Sequence, residues 1–325
     1  MPTQYQIERF RRDLLAVAGA EPEGLALGVS GGPDSLALLL LAHGALPGRV
    51  EAATVDHRLR PENEGEAAFV ATVCAGLGVP HATLADPDAP IAGASLQARA
   101  RALRYRLLLA WGGERGLTAL ATAHHADDQA ETVLMRLARG GGLGGLSGVR
   151  ARRNQGPATI LRPLLGWRRS ELAGIVAAAG LAAVDDPSNR SEAHDRTRFR
   201  ALLAGSEVLP PERLAASAAH LAEAEQALEW AADGEWGKRA VRDGDALTLD
   251  PAGLPPELLR RLAARAITEV GANEDWRAEN LPRLLAAALA GDRVTLAGVL
   301  IGGGGSRLRF EPAPPRRPVK DGAAG

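Results

Sequence analysis

The sequence predicts an α/β protein: a parallel, doubly wound sheet followed by a smaller, mainly helical C-terminal domain. Three observations carry this. Short apolar runs alternate with helix-length stretches up to about residue 205, the pattern of strand–helix–strand units. Polar or glycine-containing turns follow the C-terminal ends of those runs, where an open parallel sheet collects its ligands. Beyond residue 205 the alternation stops and Ala/Leu/Glu-rich stretches take over.

The elements follow in order. Ile7, Phe10, Leu14 and Leu15 recur at helical spacing, so an N-terminal helix packs on the main domain. Residues 25–29 form the first strand and 36–45 a helix; 50–55 and 62–77 repeat the unit. Residues 79–84 make a weaker strand before an Arg-rich helix over 96–115, and 117–122 feed a helix over 127–139. Residues 160–165 and 168–179 complete a domain spanning 1–205. The second domain, 206–312, reads as helices over 211–240, 256–270 and 281–290, with strand-like runs at 246–249, 294–301 and 307–311. The last two runs form a hairpin through the glycines at 302–305. The Pro/Gly/Ala-rich tail, 313–325, reads as disordered.

Composition narrows the function classes. In 325 residues, 38 basic and 39 acidic side chains leave a net charge of −1, which excludes a polycation that coats nucleic acid by bulk charge. Basic patches remain: Arg150, Arg152 and Arg153; Arg196, Arg198 and Arg200; Arg260, Arg261 and Arg265, each equally readable as a solvated face. Cys74 is the single cysteine, so no internal disulfide, cysteine metal cluster or dithiol chemistry is available, and its apolar helical context marks it as buried. Absence of an 18-residue apolar run and of a targeting pattern predicts a cytoplasmic protein.

Two motifs carry the chemistry. Ser30-Gly31-Gly32-Pro33-Asp34-Ser35 lies between a buried strand and a helix, where glycines admit a phosphate to backbone N–H groups and the helix N-terminus adds positive potential. Asp34 beside a phosphate implies a bridging divalent cation, magnesium. The lysine of a Walker A loop is absent. The neighbouring strand exit, 55–60, has backbone placed to receive adenine. Within the run from Thr122 to Glu131, the eight residues 124–131 hold two histidines and three carboxylates, with His124 and Asp128 on one helical face and Glu131 three residues on. The bland reading of those acids is ordinary helix-dipole pairing. A glycine-rich loop, 140–148, follows directly and reads as a mobile flap over the crevice, or as a plain connector.

These residues resemble a known family. The first motif matches the S-G-G-x-D-S signature of the PP-loop ATP pyrophosphatases, which cleave ATP to AMP and pyrophosphate. The stretch from Ala123 through the H-H-x-D-D-Q-A-E-T run to Gly148 is similar to the hallmark of the tRNA(Ile)-lysidine synthetases. Segments 97–105, 161–165 and 186–189 agree with it, so the resemblance spans about residues 24–200. It departs at Arg196-Thr197-Arg198-Phe199-Arg200, where the family's asparagine is replaced by Thr197.

The resemblance implies a ligase that adenylates the C2 oxygen of the wobble cytidine of a CAU-anticodon tRNA(Ile) with ATP and replaces AMP by free L-lysine. By the same resemblance, Ser30, Gly31, Gly32, Pro33, Asp34 and Ser35 bind ATP, and Asp34 and Asp128 hold Mg2+. His124 serves adenylation, Arg104 and Arg196 place substrate and phosphate, and Glu131 receives the proton of the lysine ammonium. The second domain is expected to contact the tRNA. Alternatives remain another PP-loop synthetase or tRNA-modifying enzyme, or a nucleotide-binding regulator without turnover. The sequence carries no signal for oligomeric state, a homodimer included.

Overall fold

The computed structural model describes residues 1–56, 62–86, 96–184, 195–271, 276, 280–304 and 306–314. The chain divides into two compact units, Met1–Ala222 and Glu223–Gly325; the sequence-predicted boundary at 205 lies ahead of that division.

In the first unit, α1 (Gln4–Ala18) is capped by Thr3 and leads to β1 (Leu25–Gly28), α2 (Pro33–Ala45), β2 (Val50–Asp56) and α3 (Glu62–Leu77). Next come β3 (His81–Ala85), α4 (Leu96–Glu114), β4 (Ala119–Ala121), α5 (Ala126–Ala138) and the short α6 (Leu143–Leu146). β5 (Arg152–Gln155), β6 (Ala158–Leu161), α7 (Arg169–Ala178) and α8 (Asp195–Ala204) follow. The sheet order is β3-β2-β1-β4-β6-β5, parallel except for the edge strand β5, which turns back along β6.

Strand alternation sorts the two faces. Leu25 and Leu27 of β1 join α1, α2, α3 and α7 in one core, whereas Ala26 faces Tyr105, Leu108 and Trp111 of α4. The helix α2 is buried almost all round, from Ser35 to Ala42, as a run of four leucines requires. Cys74 lies in the larger core, and burial pushes its thiol up to about 11, so it is an inert apolar side chain.

The second unit begins within α9 (Pro211–Arg239). It adds β7 (Ala240–Asp243), β8 (Ala246–Leu249), α10 (Pro256–Val270), α11 (Leu281–Leu289), β9 (Arg293–Leu296), β10 (Val299–Gly304) and β11 (Arg307–Pro312). Its five strands form an antiparallel sheet ordered β7-β8-β11-β10-β9. The predicted strand 294–301 is two strands, because Ala297 (φ 55°) and Gly298 (φ 82°) turn the chain between them. The hairpin through the following glycines pairs Gly304 with Arg307. Phe310, Ile301, Leu308 and Ile267 centre this unit's own core. Among the described residues no helix is long and apolar enough to cross a membrane.

Candidate active site

The C-terminal ends of β1, β2 and β4 open on a cavity of about 300 Å³ within the first unit. The loop after β1 supplies Ser30, Gly32, Pro33, Asp34 and Ser35 to its lining. Ser35 Oγ donates to Gly32 O at 2.9 Å and accepts from Ser30 N at 3.1 Å, which closes the loop into a tight cradle. Gly31 stands at φ 82°, and a Cβ there would meet Val184 Cγ2 at 3.3 Å; its carbonyl accepts from Val184 N. Glycine is required at that position by backbone shape and by space.

From β4 come Thr122, Ala123, His124 and, on the first turn of α5, Asp128. His125 N-caps α5 in an extended conformation (φ −128°, ψ −179°), so its ring and that of His124 leave the chain on opposite sides. The His125 ring is buried among carboxylates, with Nε2 3.3 Å from Asp34 and 3.5 Å from Asp128, and Nδ1 3.6 Å from Asp127. Burial works against its charge, but Asp127, Asp34 and Asp128 outweigh it and push it up to about 9. Asp127 receives the backbone N–H of Arg169 at 2.8 Å and lies beside Arg168; despite its burial, His125 first and then Arg169 and Arg168 hold it well below the usual carboxylate range.

The opposite wall is basic. Arg101, Arg104, Arg196 and Arg200 line the cavity there, and Arg169 adds a fifth guanidinium 3.9 Å from Asp34, against two lining carboxylates, Asp34 and Asp128. That excess of guanidinium suits a polyanion. His124 sits on this side: Nδ1 is 3.0 Å from Thr122 Oγ1 and Nε2 is 3.2 Å from Arg101 Nη2. Burial first, then the charges of Arg162, Arg101 and Arg196, push His124 well below the usual imidazole range, so it is neutral.

Every site residue of the sequence reading except Gly31 and Glu131 lines the cavity, and Gly31 stands between two that do. Glu131 is 1% exposed, with Oε1 2.7 Å from Arg200 Nε and Oε2 3.4 Å from Arg196 Nε. Its oxygens are taken up by guanidiniums, a geometry that differs from the expected proton acceptor for an amine in the cavity. Thr197 lies on α8 between these two arginines.

The glycine-rich stretch also differs from expectation. Among the described residues none of 140–148 lines the cavity. Arg136 donates to the carbonyls of Gly145 (2.6 Å) and Gly148 (2.9 Å), and the Gln129 amide makes a two-bond pairing with the backbone of Val149. Gly148 stands at φ 66°, where a Cβ would meet Gln129 Oε1 at 2.4 Å. These bonds staple the stretch to α5.

Sequence reasoning missed Arg101, Tyr105, Thr122, Arg169 and Arg200 as cavity residues. The arginines at 101 and 104 share one face of α4 at i, i+3 spacing, which was the available signal. Segments 57–60 and 186–189, which include the adenine-side strand exit and the Asp-Pro-Ser-Asn turn, lie outside the described residues.

Of the basic patches, Arg152 and Arg153 are exposed on β5. By contrast, Arg260 and Arg261 pair with Glu257, Arg261 also with Glu225, and Arg265 with Asp233 and Glu269. That third cluster is a neutralised helix face.

Magnesium takes one or two protein carboxylates and completes its shell with phosphate and water. Among the described residues no group of three potential ligands forms a ready cage. Asp34 Oδ1, however, is buried without a hydrogen-bond partner, and so is His125 Nε2, 3.3 Å from Asp34 and 3.5 Å from Asp128, which leaves both carboxylates able to take a cation. The residues fit the ion.

Residues 2–206 match the model of the PP-loop domain. The tRNA(Ile)-lysidine synthase of Zymomonas mobilis is 46% identical over 298 residues, covering 90% of this chain and 89% of that protein. The same-named protein of Novosphingobium aromaticivorans is 45% identical, covering 95% and 94%. Among solved structures, the U34-tRNA thiolase NcsA of Methanococcus maripaludis superposes with a TM-score of 0.55 at 18% identity, over 66% of this chain and 76% of that one, a likeness of fold.

Proposed function

Because the chain belongs to the PP-loop family of tRNA(Ile)-lysidine synthases, we propose that it uses ATP to convert the wobble cytidine of a CAU-anticodon tRNA(Ile) to lysidine. The observation that carries this reading is the convergence of the Ser30–Ser35 loop and Asp128 on one cavity with five lining arginines.

The reaction divides into two steps. The cytosine C2 oxygen attacks the α-phosphorus of ATP and pyrophosphate leaves, turning a poor leaving oxygen into the good leaving group AMP. The lysine ε-amine, once it has shed a proton, attacks C2 and AMP departs. With a reference pKa near 10.4, only about one amine in a thousand is neutral at pH 7, so the site must recognise an ammonium.

The backbone N–H groups of Gly31, Gly32, Asp34 and Ser35, at the N-terminus of α2, hold the phosphates. Asp34 and Asp128 hold Mg2+, which supplies charge neutralisation at the phosphates when bound. Arg104, Arg169, Arg196 and Arg200 oppose the charge of the triphosphate and of the tRNA backbone. His124, uncharged, lies among them in the adenylation half. Glu131 holds Arg196 and Arg200 in their places. The exposed arginines at 152 and 153 and the second unit provide tRNA contact.

The test is incorporation of radiolabelled lysine into a CAU-anticodon tRNA(Ile) in the presence of ATP and magnesium. Stoichiometric label with matching pyrophosphate release supports the reading. Pyrophosphate release with another acceptor assigns a different PP-loop synthetase, and ATP binding without release assigns a regulator.

A further inference from the structure

On the basic side the cavity lining also holds two hydroxyls that the proposed phosphate and metal binding does not use. Tyr105 (α4) and Thr122 (the β4 exit) are both buried, at 9% and 8% exposure. Thr122 stands beside the Tyr105 oxygen. That oxygen accepts from Arg162 Nη2 at 3.3 Å and from Arg101 Nη2 at 3.4 Å. Thr122 Oγ1 then meets His124 Nδ1 at 3.0 Å.

Arg162 sharpens the picture. It is 3% exposed, Nη1 donates to Arg150 O, and Nε has no hydrogen-bond partner. Among the described residues no carboxylate pairs with it, so the acidic group nearest this buried cation is the Tyr105 phenol. Burial raises the Tyr105 hydroxyl, but the charges of Arg101 and Arg162 outweigh it and bring it below the usual phenol range.

Donor and acceptor accounting fixes the imidazole. A guanidinium only donates, so His124 Nε2 must accept from Arg101 and carries no hydrogen. The single ring hydrogen of a neutral imidazole is then on Nδ1, donated to Thr122 Oγ1 at 3.0 Å. The groups facing His124 are Arg101 from α4, Arg162 after β6, Arg196 from α8 and His125 beside it, all cationic, and none offers Nδ1 an acceptor. Thr122 does.

We propose that Tyr105 and Thr122 are positioning residues that hold His124 in its Nδ1–H tautomer and turn the Nε2 lone pair toward the cavity as an acceptor for a nitrogen donor. Arg101 occupies that acceptor in the ligand-free chain. The substrates of the proposed reaction carry the same chemistry, an ammonium on the amine and an amino group on the pyrimidine, so the functional consequence rests on that reading; the tautomer does not.

The test uses the full-length protein labelled with 15N-histidine, with the His124 signals assigned by their loss in His124→Gln. The expected spectrum has a pyrrole-type Nδ1 and a pyridine-type Nε2. Thr122→Val should move those signals toward the opposite tautomer and lower kcat for lysidine formation about tenfold or more, with KM for ATP within about twofold; misaligned catalytic groups cost on this scale. Thr122→Ser, which keeps the hydroxyl, should restore both spectrum and kcat. Tyr105→Phe should shift the tautomer in the same direction; if it fails to fold because Arg162 is uncovered, the two Thr122 variants decide. A pyridine-type Nδ1 in the unmodified protein, or signals unmoved by Thr122→Val, overturns the proposal. The spectrum needs no substrate, so the expected tautomer in a chain that forms no lysidine would sink the functional reading and leave this one standing.

Discussion

His124 and His125 are adjacent in the chain and both buried, yet one is neutral and the other cationic. His125 points among Asp34, Asp127 and Asp128 and is pushed up to about 9. His124 points among Arg101, Arg162 and Arg196 and is driven well below 6.5. Burial acts against charge on both rings, so the difference comes from the neighbours. Extended backbone at the strand exit sends consecutive side chains to opposite sides, and the cavity is assembled between an acidic and a basic wall. One dipeptide thereby touches both halves of the site, the half proposed to seat a metal-bound triphosphate and the half proposed to meet a cationic amine.

The acidic wall carries the largest expected effect. Asp34→Asn should reduce magnesium-dependent pyrophosphate release on the order of 100-fold or more, since charge neutralisation at phosphate is worth several kcal/mol. It should also lower the His125 titration, which NMR reads directly; a loss under tenfold with His125 unmoved would dissolve the distinction between the walls.

The basic wall depends on Glu131. Glu131→Gln should depress adenylation and lysine transfer together, by roughly 10- to 100-fold, because both lining guanidiniums lose their anchor. Unfolding stability should fall by about 2 kcal/mol, below the ~3–5 kcal/mol of a fully buried pair because Arg196 and Arg200 remain 45% and 29% exposed. Loss confined to lysine transfer would return Glu131 to the role of proton acceptor.

The two rings should also leave opposite marks on stability in metal-free protein. His124 is depressed when folded, so its contribution is complete above pH 6.5 and is lost on acidification as the unfolded chain takes up the proton. His125 is raised, so its contribution is complete below pH 6.5 and drains away as pH climbs toward about 9. Urea unfolding across this range should show His124→Gln abolishing the acid-side slope while sparing the alkaline one; the reverse pattern would exchange the two assignments.

The smallest effects belong away from both walls. Arg265→Ala should change tRNA affinity less than about twofold, since its guanidinium is already paired with Asp233 and Glu269. Arg153→Ala should reduce the salt slope of binding by about one. A tenfold loss from Arg265→Ala, measured by filter binding, would shift the nucleic-acid surface to the helix face read here as neutralised.

The alternation of apolar runs and helices made the first sheet legible, and the glycine cradle and the H-H-x-D-D run made the cavity legible. What escaped has physical reasons. β5 reads Arg-Arg-Asn-Gln, fully exposed on an edge, so no apolar alternation announces it. β7 follows α9 without a break signal, and the sequence reading, which ends the helix at 240, has no strand before 246. Glu131 reads in the sequence as a helix-dipole partner or a proton acceptor, and only the approach of α8 makes it a buried anchor. Tyr105, Thr122 and Arg162 are ordinary residue types, 17 and 40 positions apart, that become one network only when α4, β4 and β6 stack.

The amide-to-backbone ring between Gln129 and Val149 makes the glycine ribbon an extension of α5, beginning one residue from Asp128. The ribbon's length is therefore dictated at both ends. An insertion or deletion within it would pull on the first turn of that helix and shift Asp128, so a segment away from the cavity wall still sets the position of a carboxylate that forms it.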